Sequence, residues 1–270
     1  IRSMLAPRGE VRGLVETAIL QEQGLRDISK YQAIMRAIGG GSTELNEIGQ
    51  RSGLPGDTTL RDKVERLVAL GYVQQYRNVG AKSTVPFRYR IADPAFAFYY
   101  EFVTRYEAAL ERSSAKDVWR EGIATQLDSY MGHAFERIPE QAYHRLQSKL
   151  RLPVVTEWGT WEGKDRDGKS LEIDIVACLA DGRVLTGAVK WNLRALDRTW
   201  HSSHLEMLDR LARSGVKWAH TASDSKSPLI YIAAGGFTKD FVEVARASRP
   251  NIYLWSLPDL YQTVTRKKAR

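Results

Sequence analysis

The sequence predicts a chain of the mixed α/β (α+β) class in two parts, the first mostly helical and the second built of alternating strands and helices. Three observations predict this. Apolar residues recur at helical spacing before residue 71, β-rich runs dominate from residue 154 onward, and the polar segment 111–116 separates the two regions. A length of 270 residues is suited to two domains.

The composition indicates a globular protein with an excess of positive charge. Hydrophobic residues make up 43% of the chain and charged residues 27%, which is enough apolar material for a core in each part. The net charge of +8 and a pI near 9.5 favour polyanionic partners. The apolar run 229–234 is far shorter than the ~20 residues of a membrane helix, so we expect a cytoplasmic protein without a membrane partner.

Residues 26–92 show the element order of a winged helix-turn-helix. Helices are predicted at 31–38, 44–52 and 58–70. Two β-rich segments then flank a basic loop at 78–84, which is typical of a hairpin. In such a fold the third helix enters the major groove and the hairpin loop touches phosphates. The candidate DNA contacts are Thr59, Arg61, Lys63, Arg66, Arg77, Lys82 and Arg88. The same order also suits a protein-docking module, in which these side chains are simply solvated.

Three flanking segments complete this organisation. Residues 1–25 are expected to form one short helix without a core of its own, left from an upstream domain, with Leu14 on its apolar face. The aromatic-rich segment 93–116 is predicted to be a helical linker whose rings are core residues. The final residues, 263–270, form a basic tail.

Residues 117–262 have the element order of a restriction-endonuclease-like αβββαβ domain. A long helix is predicted at 118–150, with a break near Pro139. Strands are predicted at 154–161, 171–179, 184–191, 229–234 and 252–255, and further helices at 203–214 and 239–247.

Polar residues of two neighbouring strands are predicted to share one face. Along 171–177 the odd-numbered residues are apolar, so Glu172 and Asp174 are expected on the opposite face. Lys190 shares that face if residue 174 lies opposite residue 190, which requires an odd-length or bulged turn near 181–183.

An aspartate, a lysine and Glu136 from the preceding helix form the kind of cluster that phosphodiester hydrolysis requires. The carboxylates of Glu136 and Asp174 would bind Mg²⁺ or Mn²⁺, and the ammonium of Lys190 would orient the nucleophile or stabilise developing charge. The alternatives are a simple ion pair between Asp174 and Lys190 and a surface role for Glu136. His201 and His204 are weaker zinc candidates, because no third ligand lies at a useful spacing.

Four short stretches, in order, resemble the C-terminal region of archaeal-type AAA ATPases, in which a winged helix precedes a PD-(D/E)xK nuclease-like domain. They are RYRIADP at 88–94, YMGHAFE at 130–136, EIDIVA at 172–177 and GAVKW at 187–191. The resemblance implies an ATPase domain upstream in the full protein. This chain has no GxxxxGK[ST] motif, so we do not expect it to bind ATP itself.

One position departs from the nuclease pattern. Ala188 stands where the pattern has a second carboxylate or an amide, and its loss is expected to weaken a metal site. The sequence therefore leaves three functions open: a metal-dependent DNA endonuclease, impaired by Ala188; a catalytically silent DNA-binding or regulatory module; and a winged-helix transcription regulator. A homo-oligomer is also left open.

Overall fold

A computed structural model describes residues 2–23, 25–54, 58–248 and 252–262. The chain divides into two compact units, of which the first comprises Ile1–Tyr76 with Thr84–Asp128 and the second Arg77–Ser83 with Ser129–Arg270. Helices and a five-stranded mixed sheet confirm the mixed α/β class. Within the described ranges, the model contains no helix of the length and hydropathy that a membrane crossing requires.

The first unit consists of helices and one hairpin. Its helices are α1 (Arg2–Leu5), α2 (Glu10–Ala18), α3 (Ile28–Gly39), α4 (Leu45–Ser52), α5 (Thr58–Ala69), α6 (Pro94–Phe98), α7 (Glu107–Arg112) and α8 (Ala115–Val118). The strands β1 (Val73–Tyr76) and β2 (Arg88–Ile91) pair antiparallel, with Val73 opposite Ile91. The predicted helix–helix–helix–hairpin order is therefore present.

The apolar faces of this unit follow the helical periodicity in α5 but not in α2. Leu60, Val64 and Leu67 are fully buried, as the spacing predicts. The expectation for Leu14 is wrong, because its side chain is 69% exposed while Val15 is buried. The first 25 residues also form two helices rather than one.

The aromatic residues that follow β2 belong to the core. Tyr99, Tyr100 and Phe102 are buried, and the backbone over Tyr99–Val103 forms a π-helical turn. The tyrosine hydroxyl of Tyr99 donates a 3.4 Å hydrogen bond to Glu16. These three rings confirm the prediction of core residues, whereas Phe96, Phe98 and Tyr106 are half-buried.

The second unit is a sheet between two layers of helices. Its strands are β3 (Val155–Lys164), β4 (Ser170–Leu179), β5 (Val184–Lys190), β6 (Leu229–Ala233) and β7 (Ile252–Ser256), in the spatial order of the chain. The helices are α9 (Leu127–Phe135), α10 (Ile138–Leu150), α11 (Thr199–Arg213), α12 (Lys217–Ala222), α13 (Lys239–Ala247) and α14 (Leu257–Leu260). The five predicted strands are confirmed, and α12 was missed.

The sheet is antiparallel from β3 to β5 and parallel from β5 to β7. One face packs on α11, α12 and α13 through residues such as Leu211, Trp218 and Phe241. The other face packs on α10 and α14 through residues such as Tyr143 and Leu260. Because both faces are covered, the central strands β5 and β6 are buried along almost their whole length.

A β-bulge interrupts the alternation of β4. Gly159 pairs with Val176 and Trp161 with Ile173, so two residues of β4, 174 and 175, lie opposite one residue of β3. Ile173 therefore packs towards α11 to α13, whereas Ile175 packs towards α10. The prediction that the odd-numbered residues from 171 to 177 share one face is wrong, because the bulge reverses the faces.

The turn between β4 and β5 has an odd length, as predicted. Cys178 pairs with Val184, and the Leu179 N–H donates to the carbonyl of Arg183, which leaves three loop residues. The ladder ends at the pair Ile175–Gly187, so the expected pairing of residue 174 with residue 190 is absent. The two side chains meet instead through a hydrogen bond from Lys190 Nζ to Asp174 Oδ2.

Gly187 is required where β5 approaches β6. A Cβ at this position would lie 1.9 Å from the carbonyl oxygen of Ile230. We expect Gly187→Ala to lower the free energy of unfolding by more than ~3 kcal/mol, because neither backbone can move without breaking the parallel ladder. Gly132→Ala in α9, where a Cβ meets nothing within 4 Å, is the control and should be neutral or stabilising by ~0.5–1 kcal/mol. Urea unfolding measures both; equal stability of Gly187→Ala and the wild type would contradict the close approach.

Candidate active site

Asp174 is a buried carboxylate at the bulge of β4, where β4 and β5 separate. Ladder pairing of the two strands ends at Ile175 and Gly187. Beyond that point Asp174 Oδ2 accepts hydrogen bonds from the Val189 N–H and from Lys190 Nζ, both at 2.8 Å. The side chain thus replaces a strand partner for Val189 and fixes the carboxylate in one orientation.

Lys190 ends β5 and lies on the same side as Asp174. Its ammonium is 2.8 Å from Asp174 Oδ2 and 5.6 Å from the ring centroid of Trp200, within the range of a cation–π contact. The side chain is 33% exposed, against 7% for that of Asp174. The positive charge is therefore positioned by two partners while part of it still faces solvent.

Glu136 lies in the turn between α9 and α10. Pro139 lies in the first turn of α10; it has no N–H to donate to the carbonyl of Phe135, four residues earlier, and its ring crowds that carbonyl, so α9 ends at Phe135. Phe135 is fully buried and packs edge-on against Trp191, with ring centroids 5.4 Å apart. This contact places Glu136 near the end of β5, and the predicted break near Pro139 is confirmed.

The electrostatics show that Glu136, Asp174 and Lys190 are close together. Burial, together with the negative charges of Asp174 and Glu172, raises the pKa of Glu136 to about 7, and His133 and Lys190 oppose the rise. Burial and Asp174 also raise the pKa of Glu172, an exposed residue of β4. Near neutral pH Glu136 therefore exists in both protonation states.

The carboxylates form a pair of candidate ligands rather than a full metal cage. Across the part of the chain that is described, no three His, Cys, Asp or Glu side chains are grouped so as to hold a metal ion. Ala188, beside Asp174, contributes only a methyl group. Mg²⁺ is commonly held by one or two carboxylates with waters and substrate phosphates, so Glu136 and Asp174 fit that ion in the presence of a phosphate ligand.

The histidine pair of α11 does not converge on one point. The ring of His204 is buried and its Nε2 lies 2.9 Å from Thr186 Oγ1. His201 Nδ1 instead lies 2.9 Å from the hydroxyl of Tyr231. Burial lowers the pKa of His204 to about 3, so this imidazole is neutral under ordinary conditions.

The predicted DNA contacts on α5 are mostly accessible. Thr59, Arg61 and Arg66 are exposed. The ammonium of Lys63, in contrast, lies 4.7 Å from the ring centroid of the buried Tyr31 and is half-buried. Three of the four candidates on this helix thus remain free to face a partner molecule.

The predicted phosphate-contacting loop is largely attached to β3. Val79 is buried, and its N–H donates to the carbonyl of Thr160 at 3.1 Å. The amide of Asn78 exchanges two hydrogen bonds with the backbone of Glu162. Lys82 is exposed, whereas Arg77 and Arg88 are half-buried, and Arg77 donates a 3.5 Å hydrogen bond to the carbonyl of Ser83. The loop thus has a structural role that the charge pattern did not predict.

Two features of the site were missed at the sequence level. Trp200 lies ten residues beyond Lys190, and only the return of α11 onto the sheet brings them together. His133 affects the pKa of both Glu136 and Glu172. Its place only three residues before Glu136 was a usable signal.

Comparison with known protein families gives one match. The family model DUF234, described as "Archaea bacterial proteins of unknown function", matches residues 99–200. This stretch includes Glu136, Asp174 and Lys190, and the match is consistent with the resemblance to archaeal-type ATPases. Comparison with the curated proteins and with the solved structures found no match.

The raised pKa of Glu136 has a consequence for stability. In the folded protein the pKa of Glu136 is about 7, above the ordinary 4.5. The stability that this group contributes is therefore fully present below pH 4.5 and is lost as the pH rises to 7. Relative to wild type, Glu136→Gln should therefore gain roughly 1–3 kcal/mol of stability between pH 5 and pH 8. Urea unfolding at both pH values measures this, with Glu206→Gln on the exposed face of α11 as control. An equal difference at both pH values would show that Glu136 titrates normally.

Proposed function

We propose that the second unit hydrolyses phosphodiester bonds of DNA in a metal-dependent reaction. One observation carries the proposal: Asp174 is fixed between the Val189 N–H and the Lys190 ammonium, with Glu136 close enough for their charges to interact. Carboxylates and an ammonium in one accessible group suit the chemistry of a phosphodiester, whose transition state carries extra negative charge.

Each side chain has a role that follows from its surroundings. Glu136 and Asp174 would hold Mg²⁺ or Mn²⁺, which when bound supplies Lewis acidity and a more acidic water. Without metal the pKa of Glu136 is about 7, and a bound divalent cation would favour the ionised carboxylate that acts as its ligand. Lys190 donates hydrogen bonds and would orient the attacking water or stabilise charge on the phosphate oxygens.

The arrangement of elements supports the same function. The three antiparallel strands β3 to β5, followed by α11 and the parallel strand β6, agree with the order expected of a PD-(D/E)xK nuclease-like domain. In the first unit, α3, α4, α5 and the hairpin agree with a winged helix, whose recognition helix would be α5. An ATPase domain of the same protein is the partner that the resemblance suggests, and a homo-oligomer and a cytoplasmic location remain predictions.

A second candidate function is a catalytically silent DNA-binding or regulatory module. Ala188, which supplies no metal ligand, favours this function. So does the absence, among the described residues, of three His, Cys, Asp or Glu side chains grouped so as to hold a metal ion. In this case Asp174 and Lys190 would be a structural ion pair, and any activity of the full protein would arise elsewhere.

Cleavage of labelled duplex, single-stranded and branched DNA with Mg²⁺ or Mn²⁺ decides between the two functions. We expect cleavage by the wild type and a loss of ~100-fold or more in Asp174→Asn, which loses the charge of a metal ligand, and in Lys190→Ala, which loses the ammonium that acts on the water or the phosphate. Ala188→Glu should increase the rate by adding a ligand.

The controls are the substitutions Asp167→Asn and Lys164→Ala, at two exposed positions near the turn between β3 and β4. Both should cleave like the wild type. If the wild type and Ala188→Glu fail to cleave any substrate with either metal, while DNA is still bound, the silent module is the correct function.

DNA binding by α5 has its own test. We expect Arg61→Ala and Arg66→Ala each to weaken duplex binding and to reduce the slope of log affinity against log salt by about one, the effect of one lost phosphate contact. Fluorescence anisotropy at several salt concentrations measures both quantities. Arg112→Ala, at an exposed arginine of α7, is the control, and an equal effect of all three substitutions would indicate only a general charge effect.

A further inference from the structure

A cavity of about 550 Å³ opens beside the candidate active site. Asp174 and Lys190 form part of its wall, and the side chains of Leu171, Ile173 and Met207 form apolar surface next to them. Its volume lies within the ~300–1,000 Å³ range of small-molecule sites. A ligand in this cavity would therefore touch both the reactive group and an apolar surface.

One face of α11 lines this cavity. Trp200, Ser203, His204 and Met207 all belong to its wall, and they follow the i, i+3, i+4, i+7 spacing of a single helical stripe. Trp200 is 38% exposed, so part of this residue is accessible from solvent. An exposed indole at the rim and an apolar interior suit a flat aromatic ligand.

A buried polar atom marks the same cavity. His204 is 1% exposed, and among the residues described its Nδ1 has no hydrogen-bond partner, whereas its Nε2 is paired with Thr186. Buried ring nitrogens are normally paired in folded proteins. His204 therefore adds a polar ring to the wall of the cavity, with its Nδ1 beneath the surface.

We propose that this cavity binds one unpaired nucleobase of a DNA strand, stacked on Trp200, and that the site therefore acts on single-stranded or frayed DNA. Strands β4 and β5 supply one wall of the cavity and α11 another, so a base must leave its duplex stack to lie between them. A base bound there would bring its own phosphodiester next to Asp174 and Lys190. The inference that single-stranded or frayed DNA is the substrate rests on the proposed hydrolysis, whereas the inference that a base binds in the cavity does not.

Photo-cross-linking tests base binding without cleavage. The full chain is mixed with a single-stranded oligonucleotide containing 5-iodouracil in EDTA, irradiated, and the adduct is located by mass spectrometry. We expect an adduct on Trp200, and none when the iodouracil is paired in a duplex. Adducts confined to other residues, or no adduct at all, would overturn the proposal.

Two neighbouring serines of α11 provide matched variants. Ser203→Trp fills the cavity and should reduce the Trp200 adduct by about fivefold or more, in line with the loss of one base-stacking contact. Ser202→Trp, at an exposed position outside the cavity wall, should leave the yield unchanged. Equal yields in the two variants would show that the base is not held in the cavity.

The cross-linking result and the cleavage result test the two proposals independently. An adduct on Trp200 without cleavage by Mg²⁺ or Mn²⁺ would uphold base binding and contradict hydrolysis. Cleavage without this adduct would uphold hydrolysis and contradict the base-binding cavity.

Discussion

The site depends on a single interaction, in which the carboxylate of Asp174 accepts the Val189 N–H where β4 and β5 separate. The bulge of β4 ends the ladder, and without the carboxylate a buried backbone donor would lose its partner, at a cost of ~1–3 kcal/mol. The same oxygen then binds the ammonium of Lys190. One oxygen atom, Asp174 Oδ2, thus both completes the backbone hydrogen bonding where β4 and β5 separate and fixes the position of the Lys190 ammonium.

Much of this arrangement could be predicted because its signals are local. The sequence placed Asp174 and Lys190 on one side of neighbouring strands, and they do form a hydrogen bond, although the bulge breaks the regular alternation on which that prediction was based. Pro139 predicted the helix break at Glu136, because a proline cannot donate a hydrogen bond to the carbonyl four residues earlier. The leucine stripe of α5 likewise follows from the helical period alone.

The rest depends on contacts between distant residues. The bulge at 174 and 175 arises from how β3, β4 and β5 pair together, and β4 alone reads as regular alternation. Helix α2 carries apolar residues on two faces, so periodicity did not decide between Leu14 and Val15. Trp200 becomes part of the site only because α11 returns over the sheet, and the loop at 78–84 is basic by composition yet attached to β3.

The most direct test of the central claim is the location of Mn²⁺ by paramagnetic broadening in amide NMR spectra, recorded with a non-hydrolysable DNA analogue bound. If Glu136 and Asp174 hold the metal, the amide of Val189 should be among the first signals to broaden, and Asp174→Asn should abolish this effect. Broadening centred on another part of the chain, or unchanged by Asp174→Asn, would contradict a metal-dependent active site at the point where β4 and β5 separate.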